Sequence, residues 1–370
     1  MVNGQDLASW IQALSQLLFI IFIIALFLGL NQRIQVYIWT RDIRSKLVIL
    51  ESLAEDARRK TLDFLVKNNA RNPESLLNKI VDFFIIEPVS IEPIDIIKRL
   101  DLLINIRIRR FREEFTKALP ESSEVIRGKA EVSAEITSAL VFIYKAVKHY
   151  LLLGEKTKNW VLIMQLQLIM PQILRIANAY RKALTDFLAG YPIGDAAGPL
   201  VAYRLSNHST NWREVELDTV ATEVDIDGRR LVIVKAKGPA PTVGKPGTAV
   251  EKIIRELVEK NMKPSLLLTI DAALKLEGEE SGTIAEGVGA AIGDIGPEKI
   301  RFERIATEYN IPLRALIIKM SMEEALYAMN KKIYEGVEKA VQRAKEIILS
   351  ETKSGDVVIV AGIGNTSGVI

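Results

Sequence analysis

Residues Leu231–Lys260, LVIVKAKGPAPTVGKPGTAVEKIIRELVEK, hold the reading on which the fold turns. An apolar run passes into a segment of glycine and proline, and then into an amphipathic, charged stretch that starts at Thr248. Strand, turn and helix in that order predict the first half of a strand–helix–strand unit. Three further runs repeat the theme: SLLLTID (Ser265–Asp271), RALIIKMS (Arg314–Ser321) and DVVIVAGIG (Asp356–Gly364). Between the four runs lie amphipathic stretches at Thr248–Asn261, Glu298–Tyr309 and Met322–Leu349. Near-continuous apolar strands alternating with helices predict a doubly wound, mostly parallel, Rossmann-like α/β domain over 213–370, covered on both faces. Ahead of it, EVELDTVATEVDIDGRR (Glu214–Arg230) reads as one strand that turns at Asp227-Gly228, an antiparallel hairpin at the sheet edge.

In such a sheet, ligands sit outside the carboxyl ends of the strands. The Gly-rich and polar segments are expected there, and two are long. Lys237–Gly247 has 11 residues and Leu276–Gly296 has 21, where such connections usually need about two to six. Gly238–Pro246 is not a P-loop: five residues separate Gly238 from Gly244 instead of four, and Pro246 stands where a magnesium-binding Ser or Thr belongs. Thr248 followed by Glu251 predicts a capping box that satisfies the helix end. The backbone amides around Gly238, Gly244 and Gly247, with the Lys245 ammonium, remain the candidate anion site. Lys319, at another strand end, adds charge, and Gly362, Gly364, Asn365 and Thr366 of the terminal AGIGNTSG (Ala361–Gly368) add amides and hydroxyls. For Mg²⁺ the candidates are Asp271, at a strand end, with Glu277 or Glu280, since magnesium takes one or two carboxylates plus substrate phosphates. The opposing reading of each segment is structural: a long turn, a solvated acidic loop, a free terminus.

Upstream, no charged residue occurs from Leu7 to Gln32, and Trp10–Leu30 is long enough to cross a bilayer. Trp10, Tyr37 and Trp39 flank it as aromatics flank headgroups, and no basic residue precedes it while Arg33, Arg41, Arg44 and Lys46 follow. A single uncleaved transmembrane anchor over 1–32 is expected, in the cell membrane, with the N-terminus outside and the bulk cytoplasmic. Residues 33–189 read as a helical domain. Its stripe Leu47, Leu50, Ala54, Ala57, Thr61, Phe64 suits internal packing or a weak coiled coil joining copies of the chain. Its basic patch Arg107–Glu114 (RIRRFREE) suits a solvated face or anionic lipid. The apolar run Trp160–Leu174 is expected to be a buried bundle helix, and Ala189–Thr210 breaks the pattern, so 190–212 reads as a Gly/Pro-containing linker.

Totals exclude several chemistries. The chain of 370 residues has no cysteine and two histidines, which removes disulfides, thiolate nucleophiles, zinc–thiolate and iron–sulfur sites, and leaves no case for haem. A net charge of +3 among 49 basic and 46 acidic residues gives no argument for nucleic acid. The Cys-free, charge-rich composition suits a thermophile.

Taken together, YPIGDAAGPLVA (Tyr191–Ala202), KAKGPAPTVGKPG (Lys235–Gly247), TIDAALKLEGE (Thr269–Glu279), SGTIAEGVGAAIGDIG (Ser281–Gly296), IPLRALIIKMS (Ile311–Ser321) and AGIGNTSGVI (Ala361–Ile370), behind an N-terminal anchor, resemble an uncharacterised archaeal family of membrane-anchored proteins, a domain of unknown function. The resemblance spans essentially the whole chain and implies an archaeal source and an anchor, but no activity. Two functional readings stand from the residues. One is a membrane-anchored cytoplasmic protein that binds a nucleotide or other phosphorylated ligand, with or without Mg²⁺. The other is a non-catalytic, membrane-tethered oligomeric scaffold that recruits cytosolic partners.

Overall fold

The computed structural model of the chain describes residues 14–20, 23, 30–84, 86, 93–293 and 296–370. The expected span Trp10–Leu30 lies mostly outside the described residues; within it, 14–20 is helical. The helices are α1 (Leu30–Lys67), α2 (Pro73–Val81), α3 (Pro93–Ala118), α4 (Glu124–Thr157), α5 (Trp160–Ala189), α6 (Ala197–Leu205), α7 (Pro246–Glu259), α8 (Pro297–Glu308), α9 (Met322–Leu326) and α10 (Lys331–Glu351). The strands are β1 (Arg213–Glu216), β2 (Thr219–Ile226), β3 (Arg229–Ala236), β4 (Leu266–Leu274), β5 (Ile284–Val288), β6 (Leu313–Met320) and β7 (Val357–Gly362).

The chain divides into two units, Met1–Glu55 with Leu140–Ala177, and Asp56–Ala139 with Asn178–Ile370. In the first, Arg44 of α1 pairs with Glu155 of α4 at 2.7 Å, and Gln167 of α5 donates to Asp42 at 2.7 Å. The run Trp160–Leu174 departs from the buried helix expected of it: Ile163, Leu166 and Met170 are buried, but only 22% of the most apolar stretch of α5 is. For α4 the figure is 28%. Both helices are long and apolar enough to cross a membrane, by length and composption alone.

In the second unit, the sheet has the order β1-β2-β3-β7-β4-β6-β5 among the described residues. Its centre, β3, β7, β4 and β6, is parallel as expected, and β2 pairs antiparallel with β3 through a turn in which Asp227 (φ 52°) and Gly228 (φ 75°) both take left-handed backbone. That pair is the chemistry a two-residue hairpin needs. α6 and α10 bury Val201, Leu205, Val337 and Ile348 against Leu231, Ile233, Leu268 and Val360 on one face. α7 and α8 bury Ile253, Ile254, Phe302 and Ile305 against Val232, Val234, Leu267 and Ile359 on the other. Each such side chain contributes about 1.5–3 kcal/mol.

Three expectations change. The single strand before the hairpin is two, because Asp218 (φ 53°) turns the chain between β1 and β2. The long loop Leu276–Gly296 contains β5, which closes the sheet antiparallel to β6; its Gly287 and short run hid it. The Gly/Pro segment 190–212 is no simple linker, because its Ala197–Leu205 is a core helix. Its small residues allow contact that linker composition mimics: a Cβ on Gly198 would stand 2.1 Å from the Ile363 carbonyl oxygen. The α1 stripe is spent inside the chain, where buried Thr61 bonds Thr137 at 2.9 Å and the Ser133 carbonyl at 3.2 Å. Leu65, Phe111, Phe115, Ala130 and Ala134 share a further cluster with α2.

Candidate functional site

The loop after β3 is held from both ends. Three prolines, Pro239, Pro241 and Pro246, remove donors and stiffen it. Gly244 (φ +59°) takes a conformation that other residues resist, and it passes so near β2 that a Cβ would stand 2.4 Å from Thr219 Oγ1. The Lys245 amide donates to Thr219 Oγ1 at 2.6 Å, and the Gly244 amide to Thr242 Oγ1 at 3.2 Å. Among the described residues the Thr242 and Val243 amides donate to nothing. Thr248 is the third residue of α7 and not its cap. Its amide and hydroxyl both donate to the Glu298 carboxylate, at 2.9 and 2.8 Å, so α8 rather than Glu251 satisfies this helix end.

Opposite the loop stand α3 and the first turns of α4. Between them is a cleft of about 270 Å³, joined to a chamber of about 140 Å³ through shared walls of Arg112, Glu131, Asp218, Pro241 and Thr242. Gly128 lets the loop approach: a Cβ there would meet Pro241 Cδ at 3.1 Å. Arg112 grips Asp218 with both guanidinium ends, one at 3.1 Å and one shorter, and Thr242 Oγ1 reaches the same carboxylate at 3.3 Å. Arg107 pairs with Glu135 at 3.0 Å, and Lys237 with Glu124 at 3.1 Å. Lys245, by contrast, donates its ammonium to a neutral group, Asn105 Oδ1. Arg127 donates to the Leu119 carbonyl at 3.3 Å.

Glu131 is the titratable outlier. Burial pushes its carboxyl up to about 7; Glu135 and Asp218 push the same way, and Arg112 and Arg127 oppose. Burial also raises Glu135 against the pull of Arg107, but 44% of its side chain is exposed, so solvent weakens that push. The cleft therefore offers a fixed guanidinium, an ammonium with a neutral partner, two unspent amides and one carboxyl that can change charge near neutrality. Such a set can hold an anion and exchange a proton with it.

The structure brings Gly244, Lys245 and Asn365 to this cleft and leaves the other candidates elsewhere. Gly238 and Gly247 are packing glycines, whose Cβ atoms would meet the Val369 and Glu298 carbonyls at 1.6 and 2.3 Å. Gly362 lies against Gly198 and Gly364 against Asp195. Thr366 is fully buried, and its hydroxyl donates toward the Ala240 and Thr242 carbonyls at 2.9 and 3.0 Å. Lys319 is paired with Glu279. Asp271 lies inside β4, buried. Burial first and Asp195 second hold its carboxyl well above the usual range. Among the described residues no three of His, Asp and Glu stand close enough to hold a cation by themselves. Glu277 and Glu280 belong to the segment between β4 and β5.

The sequence reading counted Arg112 in a solvated or lipid-facing patch and passed over Asp218 and Glu131. One signal was present: Glu124, Gly128, Glu131 and Glu135 fall at steps of three and four, a single helix face with a glycine in it. No curated protein matches the chain. Two family descriptions do: "Protein of unknown function (DUF1512) N-terminal domain" over residues 17–190 and "Domain of unknown function (DUF1512) C-terminal" over residues 193–370. With both halves matched in order across residues 17–370, the chain belongs to the DUF1512 family.

Proposed function

We propose that this chain is a membrane-tethered protein that binds a small phosphorylated ligand, a mononucleotide or a phosphorylated metabolite, in the cleft between Arg112 and Lys245. The observation that carries the reading is Lys245. Among the described residues its ammonium makes one hydrogen bond, to the neutral Asn105, and no contact ion pair, and it stands beside the unspent amides of Thr242 and Val243, so a phosphate would supply an ion pair at contact distance. The cleft with its side chamber is near the small end of ligand pockets, which suits a compact ligand better than a dinucleotide. Magnesium, where the ligand carries it, would arrive on the ligand's phosphates.

The tether is read from the charge-free run Trp10–Leu30 and the basic residues after it. These favour one span with the N-terminus outside and the bulk in the cytoplasm. α4 and α5 add apolar length. One observation favours the rival, an oligomeric scaffold: Phe142 and Leu168 are each 71% exposed.

The test is a thermal-shift screen of the full chain in detergent against nucleotides and phosphorylated metabolites, with and without Mg²⁺. A native-state ligand at a hundredfold its Kd stabilises by about 2.7 kcal/mol. A hit weakened about tenfold in Lys245→Ala supports the reading. A wild-type protein indifferent to the whole panel moves the weight to the scaffold, which a mass measurement of the detergent complex then checks.

A further inference from the structure

The cleft contains a carboxyl that anion binding alone does not call for. Arg112, Glu131 and Asp218 each line both chambers, and two of the three are bonded to each other. Glu131 is the third, and among the described residues it makes no hydrogen bond and no close ion pair. The groups that face it come from every wall. Arg112 reaches in from α3 and Asp218 from the β1–β2 turn, each already engaged with the other. On its own helix Arg127 is turned to the Leu119 carbonyl, Glu124 to Lys237 and Glu135 to Arg107. From the loop comes Lys245, on Asn105. Among the described residues no neighbour neutralises this carboxyl at contact distance, although Arg112 and Arg127 act on it through space.

An anion seated between Arg112 and Lys245 lies against that carboxyl. As a carboxylate, Glu131 offers only acceptors to ionised phosphate oxygens that are acceptors too, and the two repel. As an acid it offers one O–H, aimed at a group that lacks a donor. Resting on the anion-binding reading above, we propose that the site takes up its anion together with one proton, which solvent supplies to Glu131 and which Glu131 shares with a ligand oxygen. No bond other than that O–H is made or broken, and the proton returns to solvent when the ligand leaves. The raised titration point, about 7 in the empty cleft, puts the exchange within reach of neutral pH. Added anionic charge beside it moves it further up.

The consequence is a binding constant that falls as pH rises. While the empty site is ionised and the filled site is protonated, linkage sets the slope at about tenfold per pH unit. Sulfate is the probe, because its own charge does not change over this range. The full chain in detergent is titrated with sulfate against chloride at constant ionic strength, at pH 6.5, 7.5 and 8.5, for wild type, Glu131→Gln and Lys245→Ala. The expected result is an affinity loss of about tenfold between pH 7.5 and 8.5 in wild type and a flat profile in Glu131→Gln. Calorimetry of wild type in two buffers of different ionisation heat should give uptake approaching one proton per sulfate at pH 8, with no variant needed. Wild-type affinity that is flat with pH, but lost in Lys245→Ala, overturns the proton coupling and leaves the anion site standing. Sulfate that fails to bind wild type at any pH removes both.

Discussion

Two segments, Gly238–Gly247 and Gly362–Gly368, are alike in composition and opposite in what their backbones do. Each is rich in glycine, and each leaves a parallel strand at the same edge of the sheet. In the terminal segment most amides are spent, Gly364 being the exception among the described residues. Asn365 donates to Asp195 at 2.9 Å, Thr366 to the Thr242 carbonyl at 2.9 Å, and Gly368 to the Pro239 carbonyl at 3.2 Å. In the loop, three positions are proline and the amides of Thr242 and Val243 are unspent, with Val243 56% exposed. Glycine marks where a backbone comes close to something; whether that is the chain itself or a ligand is decided by where the amides go.

The largest effect that would break this comparison is at Gly238, where the two segments touch. A Cβ there would lie 1.6 Å from the Val369 carbonyl oxygen, backbone against backbone, so neither side can yield cheaply. Gly238→Ala is expected to cost about 3 kcal/mol or more in denaturant unfolding. A midpoint equal to that of wild type would show that the tail does not hold the loop.

Next in size is Glu131→Gln, which acts on the open segment's side. The carboxyl titrates near 7 when folded and near the ordinary 4.5 when unfolded. Below about pH 4.5 both states hold the proton and the group costs nothing. From there to about 7 the unfolded chain releases a proton that the folded chain keeps, so stability falls as pH rises, and above 7 the full cost is present. That cost would be about 3 kcal/mol for a wholly buried group, and the solvent in the cleft reduces it to about 1–2 kcal/mol. Glu131→Gln should therefore be more stable than wild type by about that amount at pH 8 and equal to it at pH 4. Equal stability at both values would mean that Glu131 is solvated and the cleft wide open.

Lys245→Ala comes third. It should weaken a phosphorylated probe about tenfold, roughly 1.4 kcal/mol, while the unfolding midpoint stays within about 0.5 kcal/mol of wild type. A change in stability without a change in affinity would put Lys245 with the packing residues.

How much of this was legible follows from sequence separation. The hairpin at Asp227-Gly228 and the four parallel strands are written locally, in adjacent residues and apolar runs, and they stand where the sequence puts them. Lys245 was legible too, as the cation of a stiff loop. The wall it faces was not, because the contacts that build it join residues 106 and 140 positions apart, Arg112 with Asp218 and Asn105 with Lys245. The basic patch Arg107–Glu114 read as a solvated or lipid-facing surface for the same reason, since nothing within its own helix announces that Asp218 and Glu135 will meet it. Strand β5 and helix α6 were missed on composition: glycine that served close approach or an edge strand was counted as glycine that served a loop.

The smallest effect is the most discriminating between the two segments. Asp195 accepts the Asn365 amide and stands near the buried Asp271, and burial raises both carboxyls, with Asp195 adding to the rise of Asp271. Both therefore cost stability as pH climbs above the ordinary 3.8. Asp195→Asn keeps an acceptor for the amide and removes one of the two charges. Because burial outranks the neighbour's charge at Asp271, the gain at neutral pH should be under about 1 kcal/mol, read as a shallower decline of stability between pH 4 and 8. Affinity for the anionic probe should not move, since the tail spends its amides on its own fold. A loss of affinity comparable to that of Lys245→Ala would reverse that. The tail would then be shaping the ligand site through Asn365, which lines the cleft, and the division between a closed segment and an open one would give way to a single site built from both.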